Sequence, residues 1–425
     1  MGLFVVHDFA VMESSLAILE LFKKLLTTPW ILQTLAFAIL VGSIMALIEA
    51  SGGVGGFIEY VQNQKKLVHS KRSALLLSYV LGVIIFVESS ITALISGAVG
   101  KPFCEEYGIS NAKLAFVCDS TAAPISSLIV FNGYGALLLG LISAQVSLGY
   151  IEGNSVDILL DTLLYNFYAM ITLVVVFVSI WFDIDIGPMK NAKFHPFDEA
   201  LKCELRASKY LMILPIVSMI LLVFTFLYIT GDGDILKGSG SSSIFYTMLG
   251  TLGFMLIYYL WQGVMSMKKY LQVSYRGAKH LFGVSLILLF AFGIGEVTGE
   301  LHTAQYLATY ASANIDIYFL ASLIFILSAI MAFSTGTSWG TFSIMIPIAV
   351  PMAYTMGADI PLVMGAVISG AIFGDHSSPI SDTTIISSLA AECEVVQHVK
   401  TQLPYALLSA FLSAILFFVW SVVQD

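Results

Sequence analysis

The chain has 425 residues, of which 58% are hydrophobic and only 11% charged, with mean hydropathy +0.90; an ordinary soluble domain carries about 25% charged residues. That composition excludes a soluble globular protein, and the lack of period-two alternation over segments of about 10 residues excludes an outer-membrane barrel. The formal net charge of −9 is not offset by any broad basic patch, so no nucleic-acid partner is expected. What remains is an all-α polytopic membrane protein, because a helix satisfies its own backbone polar groups in lipid.

Residues 1–30 lack the basic start, short apolar core and small-residue cleavage site of a secretory signal. Leu16 to Leu26 instead has the pattern of an amphipathic, membrane-associated helix, set apart from the first span by Pro29. Apolar runs long enough to cross a bilayer then cover about Ile31 to Ala50, Ser73 to Gly100, Ile158 to Phe182, Tyr210 to Thr230, Ser243 to Met267 and His280 to Glu300. Three more lie in the last third: Ile317 to Phe333, continuing brokenly to Met356; Leu362 to Leu389, with a polar centre; and Leu403 to Val423. Most of the 19 basic residues fall in three loops, around Lys65 to Arg72, Lys190 to Lys209 and Lys268 to Lys279. The positive-inside rule puts these loops in the cytoplasm.

Two segments do not read as simple spans. Asn111 to Tyr150 begins and ends in loops assigned outside, yet carries the polar knot Asp119-Ser120-Thr121-Ala122-Ala123-Pro124 at its middle. Leu362 to Thr401 repeats the pattern from the cytoplasmic side, with Gly374 to Asp382 at its turn. Each is expected to enter and return as a hairpin. The halves also echo one another: Ile48 to Gly52 with Gly295 to Gly299, Ser89 to Pro102 with Ser338 to Pro351, and Asp119 to Ser126 with Asp375 to Ser381. The charge rule gives the two copies opposite orientations. The expected architecture is therefore an inverted structural repeat of about five elements each, with two re-entrant hairpins and two broken transmembrane helices. Residues 31–186 form the first copy, 187–279 the linking loops and two linking helices, and 280–425 the second. Secondary transporters share this plan and bind cargo near the midplane at discontinuous helices.

Irregular backbone at membrane depth needs protein or a water-filled cavity around it. Four places qualify: the two hairpin tips, the stretch Glu88-Ser89-Ser90 with Gly97, Gly100 and Pro102, and the run Ser334 to Thr341 with Pro347 and Pro351. Their hydroxyls, among them Ser120, Thr121, Thr337, Ser338, Ser378, Ser381 and Thr383, are hard oxygen ligands suited to a small cation. Small residues that merely allow helices to pack closely are the plainer alternative. Intramembrane acids are costly and mark function by default, which singles out Glu88, Asp119, Asp375 and Asp382 as ion or proton carriers. Asp119 is also placed to cap a half-helix. Glu49 and Glu296 lie near span ends, where water or capping accounts for them. His376 could titrate but reads more simply as a hydrogen-bonded structural residue; Lys101 reads as a snorkelling end residue and Trp339 as packing. Cys104, Cys118, Cys203 and Cys393 show no disulfide or zinc spacing. With no P-loop, His metal cluster or GxSxG elbow, neither ATP drive, enzyme activity nor a cofactor is indicated.

The run Phe373-Gly374-Asp375-His376-Ser377-Ser378-Pro379-Ile380-Ser381-Asp382-Thr383-Thr384, together with Thr335 to Thr341, Asp119 to Pro124 and Thr401 to Ala406, resembles the NhaC-type sodium/proton antiporter family. The resemblance covers most of the chain from about residue 31. It implies inverted repeats with re-entrant hairpins, Na+/H+ exchange by alternating access, a bacterial inner-membrane location and, by family habit alone, a homodimer. Two departures fall near the expected cavity: Phe86-Val87-Glu88-Ser89 stands where relatives have Phe-Asp-Asp-Tyr, and Gly133-Tyr134-Gly135 where a Trp-Gly pair is expected. They keep open a second reading, a Na+-coupled carrier of a small amino acid or carboxylic acid. A channel and a membrane enzyme are more remote.

Overall fold

The computed structural model describes residues 2–6, 8–62, 68–86, 89–130, 132–196, 208–233, 238, 240–301, 306, 309 and 316–424. Glu88 and Cys203 lie outside these residues. Among the described residues the fold is all-helical. In chain order the α-helices are α1 Gly2–Val6, α2 Val11–Thr27, α3 Pro29–Ala50, α4 Gly53–Gln62, α5 Lys71–Ile84, α6 Ser89–Tyr107, α7 Asn111–Ser126, α8 Gly133–Ser147 and α9 Ser155–Leu164. They continue as α10 Phe167–Trp181, α11 Tyr210–Thr230, α12 Gly240–Trp261, α13 Met267–Glu300, α14 Leu320–Thr335, α15 Ser338–Met356, α16 Ile360–Ser377, α17 Asp382–Ala390 and α18 Val395–Val423. Among the described residues six helices are long and apolar enough to cross a membrane, or seven if the bent pair α9 and α10 is one span.

Local chemistry sets the ends of these elements. Ser70 caps α5 in a box with Ser73, Ser110 accepts from Lys113 N at the start of α7, and Gly336, at φ 66°, closes α14 in the left-handed region that glycine reaches freely. Several spans differ from the sequence expectation. The run from Ser73 to Gly100 is two helices, α5 ending at Ile84 and α6 starting at Ser89. The run from Ile158 to Phe182 bends by 43° between α9 and α10. Asn166 accounts for that bend: its side chain is buried at the break, donating to Ser127 Oγ at 2.8 Å and accepting from Ser369 Oγ at 3.1 Å. Helix α18 starts at Val395 rather than Leu403, because polar residues of its first turns face protein instead of lipid. The N-terminal amphipathic helix is α2, which lies against α3 and α13 with Phe22 edge-on to Phe290 and Met12, Leu16 and Leu19 exposed.

The expected breaks near 334–341 and 374–382 are present, at 336–337 between α14 and α15 and at 378–381 between α16 and α17. The first expected tip is displaced, because Asp119 to Pro124 are helical within α7, their polar side chains met by other helices, and the chain breaks between Ser126 and Gly133 instead. Side chains stitch them together in pairs. Asn132 Nδ2 donates to Phe86 O at 3.0 Å and to Ser126 O at 2.7 Å, joining the α7/α8 break to the end of α5. Ser378 Oγ donates to Phe333 O at 2.8 Å, joining the α16/α17 break to the end of α14. Tyr134 OH lies 3.1 Å from Ser338 Oγ, which links α8 to α15. The freed backbone groups are thus met by protein, as a low-dielectric interior requires. Every residue of α7 from Asn111 to Ser126 is buried.

Among the described residues the most extensive helix pairing is α14 on α16, and α3 on α13 nearly matches it. Gly370 and Gly374, four apart on one face of α16, make the first possible: a Cβ on Gly370 would lie 2.2 Å from Phe325 O and one on Gly374 2.4 Å from Ala329 O. Since the obstacle is backbone, relief requires the helices to separate. Gly370→Ala or Gly374→Ala is therefore expected to destabilise by about 1–3 kcal/mol, read as a lower melting temperature of the purified protein. Ala371→Gly, on another face of α16, should shift it less.

Candidate functional site

The centre of the fold holds two buried carboxylates. Asp375, 2% exposed, lies in the last turn of α16. Its Oδ1 accepts from Ser381 Oγ at 2.6 Å, and its Oδ2 accepts from Ser338 Oγ, the first residue of α15, at 2.6 Å. Ser381 Oγ is also 3.0 Å from Thr383 Oγ1. The backbone breaks bring these groups together: Ser338 and Thr383 stand at helix N-termini, where unpaired N–H groups favour a negative charge. A carboxylate ringed by hydroxyls is a hard oxygen set for a small cation.

The second carboxylate, Asp119, is 0% exposed midway along α7. Its Oδ2 accepts from Gln402 Nε2 at 2.8 Å, His398 Nε2 at 3.1 Å and Thr384 Oγ1 at 3.3 Å. Its Oδ1 has no hydrogen-bond partner. Three side chains from α17 and α18 thus converge on one oxygen and leave the other bare. Next to it, Ser120 Oγ is 3.0 Å from His376 Nε2, and the other ring nitrogen of His376 is 2.7 Å from Tyr168 OH. His376 is therefore held on both sides, as the structural reading of it expects. Gln402 Nε2 also donates to His376 O at 2.5 Å, so a single amide touches both the Asp119 carboxylate and the residue that follows Asp375.

The other expected site residues fall into place less centrally. Thr121 Oγ1 donates to Val117 O at 2.8 Å and its side chain fills the space beside Gly82. Thr337 caps α15, accepting from Gly340 N at 3.3 Å. Ser378 anchors to Phe333 as described, and Asp382, exposed at the start of α17, accepts from Thr383 N at 2.8 Å. Glu49 is exposed, and Glu296 pairs with Lys24 at 2.6 Å. Lys101 pairs with Glu392 at 2.6 Å. Trp339 packs on Tyr134, with ring centroids 5.5 Å apart. Among the described residues no group of three or more His, Cys, Asp or Glu side chains forms a metal cluster.

Sequence reasoning passed over His398 and Lys113 and gave no site role to Gln402, although Gln402 lies in the Thr401 to Ala406 string. His398 and Gln402 had a weak signal, two polar side chains four apart and hence on one helical face at the start of an apolar span. Lys113 is buried in the first turn of α7, donating to Ser179 Oγ at 2.5 Å and to Asp185 Oδ1 at 2.6 Å. Tyr405 OH, 3.4 Å from the same Asp185 oxygen, accepts from Ile186 N at 2.9 Å. This cluster ties α7, α10 and α18 at one end of the Asp119 centre. The side chain of Lys113 is 6% exposed and that of Asp185 38%, so loss of Asp185 strands a charge in the interior while loss of Lys113 leaves one that water reaches. Asp185→Asn should therefore lower the melting temperature more than Lys113→Met, and the double variant should recover part of the loss.

Comparison with known proteins sets this geometry in context. The model of the Na+/H+ antiporter family matches residues 132–422. An uncharacterized protein of Haemophilus influenzae is 34% identical over 394 residues, covering 87% of this chain and 75% of that protein. The malate-2H(+)/Na(+)-lactate antiporter of Bacillus subtilis is 40% identical over 102 residues, 24% of this chain and 21% of that one. In three dimensions the chain is similar to the Alcanivorax borkumensis YdaH transporter, with TM-score 0.61 over 93% of this chain and 87% of that one at 13% identity. That likeness is one of fold.

Proposed function

We propose that this chain, which belongs to the Na+/H+ antiporter family and is a multi-pass protein of the inner membrane, exchanges Na+ for protons by alternating access. The observation that carries the reading is Asp375: a carboxylate 2% exposed, at the meeting of two helix breaks, whose oxygens are held by the hydroxyls of Ser338 and Ser381 at 2.6 Å each. A hydroxyl is both donor and acceptor. With the site empty, each O–H points at the carboxylate; with Na+ present, each can rotate and offer a lone pair instead, without moving the backbone. A proton on Asp375 removes the charge that attracts Na+, so one acid serves either cargo in turn.

In this reading Ser338, Asp375, Ser381 and Thr383 form the cation centre, with Asp382 at its exposed edge. Asp119 and Ser120 belong to the adjoining buried centre; Thr121 packs α7 on α5 beside Gly82, while Thr337 and Ser378 hold the breaks in shape. The inverted repeat, 31–186 against 280–425 around the linker 187–279, supplies the two frames that rock. Resident cofactors play no part, and lipid is the surrounding partner. The stretch shared with the malate-2H(+)/Na(+)-lactate antiporter favours one alternative, Na+-coupled carriage of a small carboxylic acid, with the anion at the half-helix N-termini.

Proteoliposomes with a trapped pH dye and an imposed Na+ gradient test the proposal. Wild-type protein should show saturable, Na+-dependent proton movement, with half-saturating Na+ rising as pH falls because the two cations compete. Asp375→Asn should reduce the rate by about 100-fold or more. No proton movement from folded wild-type protein would overturn simple exchange, and Na+-dependent uptake of a carboxylic acid would then support the alternative.

A further inference from the structure

We propose that Gln402 is a cation ligand: its side-chain oxygen and the free oxygen of Asp119 form a second site for a small, dehydrated alkali cation, coupled to Asp375 through the same amide. The inference rests on the transport reading above. Gln402 is 0% exposed, and its two ends are unequally served. Nε2 makes two hydrogen bonds, to Asp119 Oδ2 at 2.8 Å and His376 O at 2.5 Å, whereas Oε1 has none. Asp119 shows the same asymmetry, with three donors on Oδ2 and none on Oδ1. These two buried oxygens, each one bond pair away from a single 2.8 Å contact, and the nearby Nδ1 of His398, also without a partner, make a polar pocket with room for one more electropositive partner. Reversing the amide does not supply one, since Oε1 would then face the carboxylate and a backbone carbonyl.

The chemistry of the neighbours selects the ligand. One carboxylate and neutral oxygens match a single positive charge, and amide and carboxylate oxygens are hard donors that suit Na+ or Li+ rather than a soft metal. The charged and titratable groups facing Asp119 are His398 from α18, His376 from α16 and Tyr168 from α10. Thr384, from α17, adds a hydroxyl. The link to the first centre is direct: a cation that draws Oε1 toward Asp119 Oδ1 turns the amide whose N–H holds His376 O, the carbonyl next to Asp375. The two centres then fill cooperatively, and the side chain of Gln402 sets the preference between Na+ and Li+.

Binding of radioactive Na+ to the purified full-length protein in nanodiscs tests this, with Gln402→Met, Gln402→Glu and, as a control on the same helix, Gln397→Met. Wild type should bind with a Hill slope above one. Gln402→Met keeps the shape but has no oxygen; it should raise half-saturating Na+ by about tenfold or more, bring the slope to one and change the ratio of Na+ to Li+ affinity. Gln402→Glu, as a neutral acid beside the Asp119 carboxylate, keeps a free oxygen and an O–H that donates to Asp119 Oδ2, and should stay within about threefold of wild type in Na+ affinity; Gln397→Met should match wild type. If Gln402→Met binds like wild type, or if both Gln402 variants fail alike while remaining folded, Gln402 is a packing residue and the proposal falls although exchange stands. Should Gln402→Met not fold, Gln402→Glu alone decides: wild-type affinity supports the ligand role and a tenfold loss overturns it. Wild-type protein that neither binds Na+ nor moves protons in response to it would bring down the antiporter reading itself.

Discussion

A charge inside a bilayer must be met by the protein, and this constraint organises the whole centre of the molecule. Asp375 and Asp119 each sit where water does not reach, so each needs donors delivered from several helices at once. For Asp119 they are side chains of α17 and of the unbroken α18. For Asp375 the breaks at 336–337 and 378–381 place the hydroxyls of Ser338 and Ser381 and two helix N-termini against the carboxylate. The stitches made by Asn132 and Ser378 then satisfy the backbone that the breaks expose. Function and fold share one solution: the irregular backbone that would be intolerable in lipid is tolerable here because it surrounds an acid.

Rigidity and openness divide the structure accordingly. Helices α14 and α16 meet backbone to backbone through Gly370 and Gly374, so the frame that carries Asp375 is held as a unit. The hydroxyls against Asp375 are on short side chains, so in the exchange proposed above they can change partner at the site without a shift of the local backbone. Localised rearrangement in a stiff frame keeps the cost of exchanging cargo small compared with the cost of moving helices.

Much of this was legible in the sequence, for reasons that differ by residue. The apolar runs gave the spans because partition into lipid depends on composition over about 20 residues, and the polar knots around Asp119 and Asp375 stood out against that background. The hydroxyls Ser338 and Ser381 could be named because they sit in the knots themselves. His398 and Gln402 could not, since nothing local distinguishes a polar residue facing an acid from one facing a headgroup; their role depends on α7, far away in the chain. Lys113 was hidden for the same reason. The bend at Asn166 escaped because an asparagine in an apolar run is ambiguous until Ser127 and Ser369 are seen on either side of it. Thr121 and Thr337 show the converse: motif position alone does not tell that their hydroxyls bond to nearby backbone groups.

Helix α7 has a consequence for how the protein is made. With Lys113, Asp119, Ser120 and Thr121 on a helix buried along its whole length, it has no face that favours lipid and cannot be stable in a membrane by itself. The side chains that satisfy Asp119 belong to α17 and α18; His398 follows it by 279 residues. During synthesis the acid therefore waits, unsatisfied, until nearly the whole remaining length has been threaded. Assembly of the transport centre is a late event by necessity, and the half-made chain depends on water, on other helices or on the insertion machinery to shelter α7 until its partners arrive.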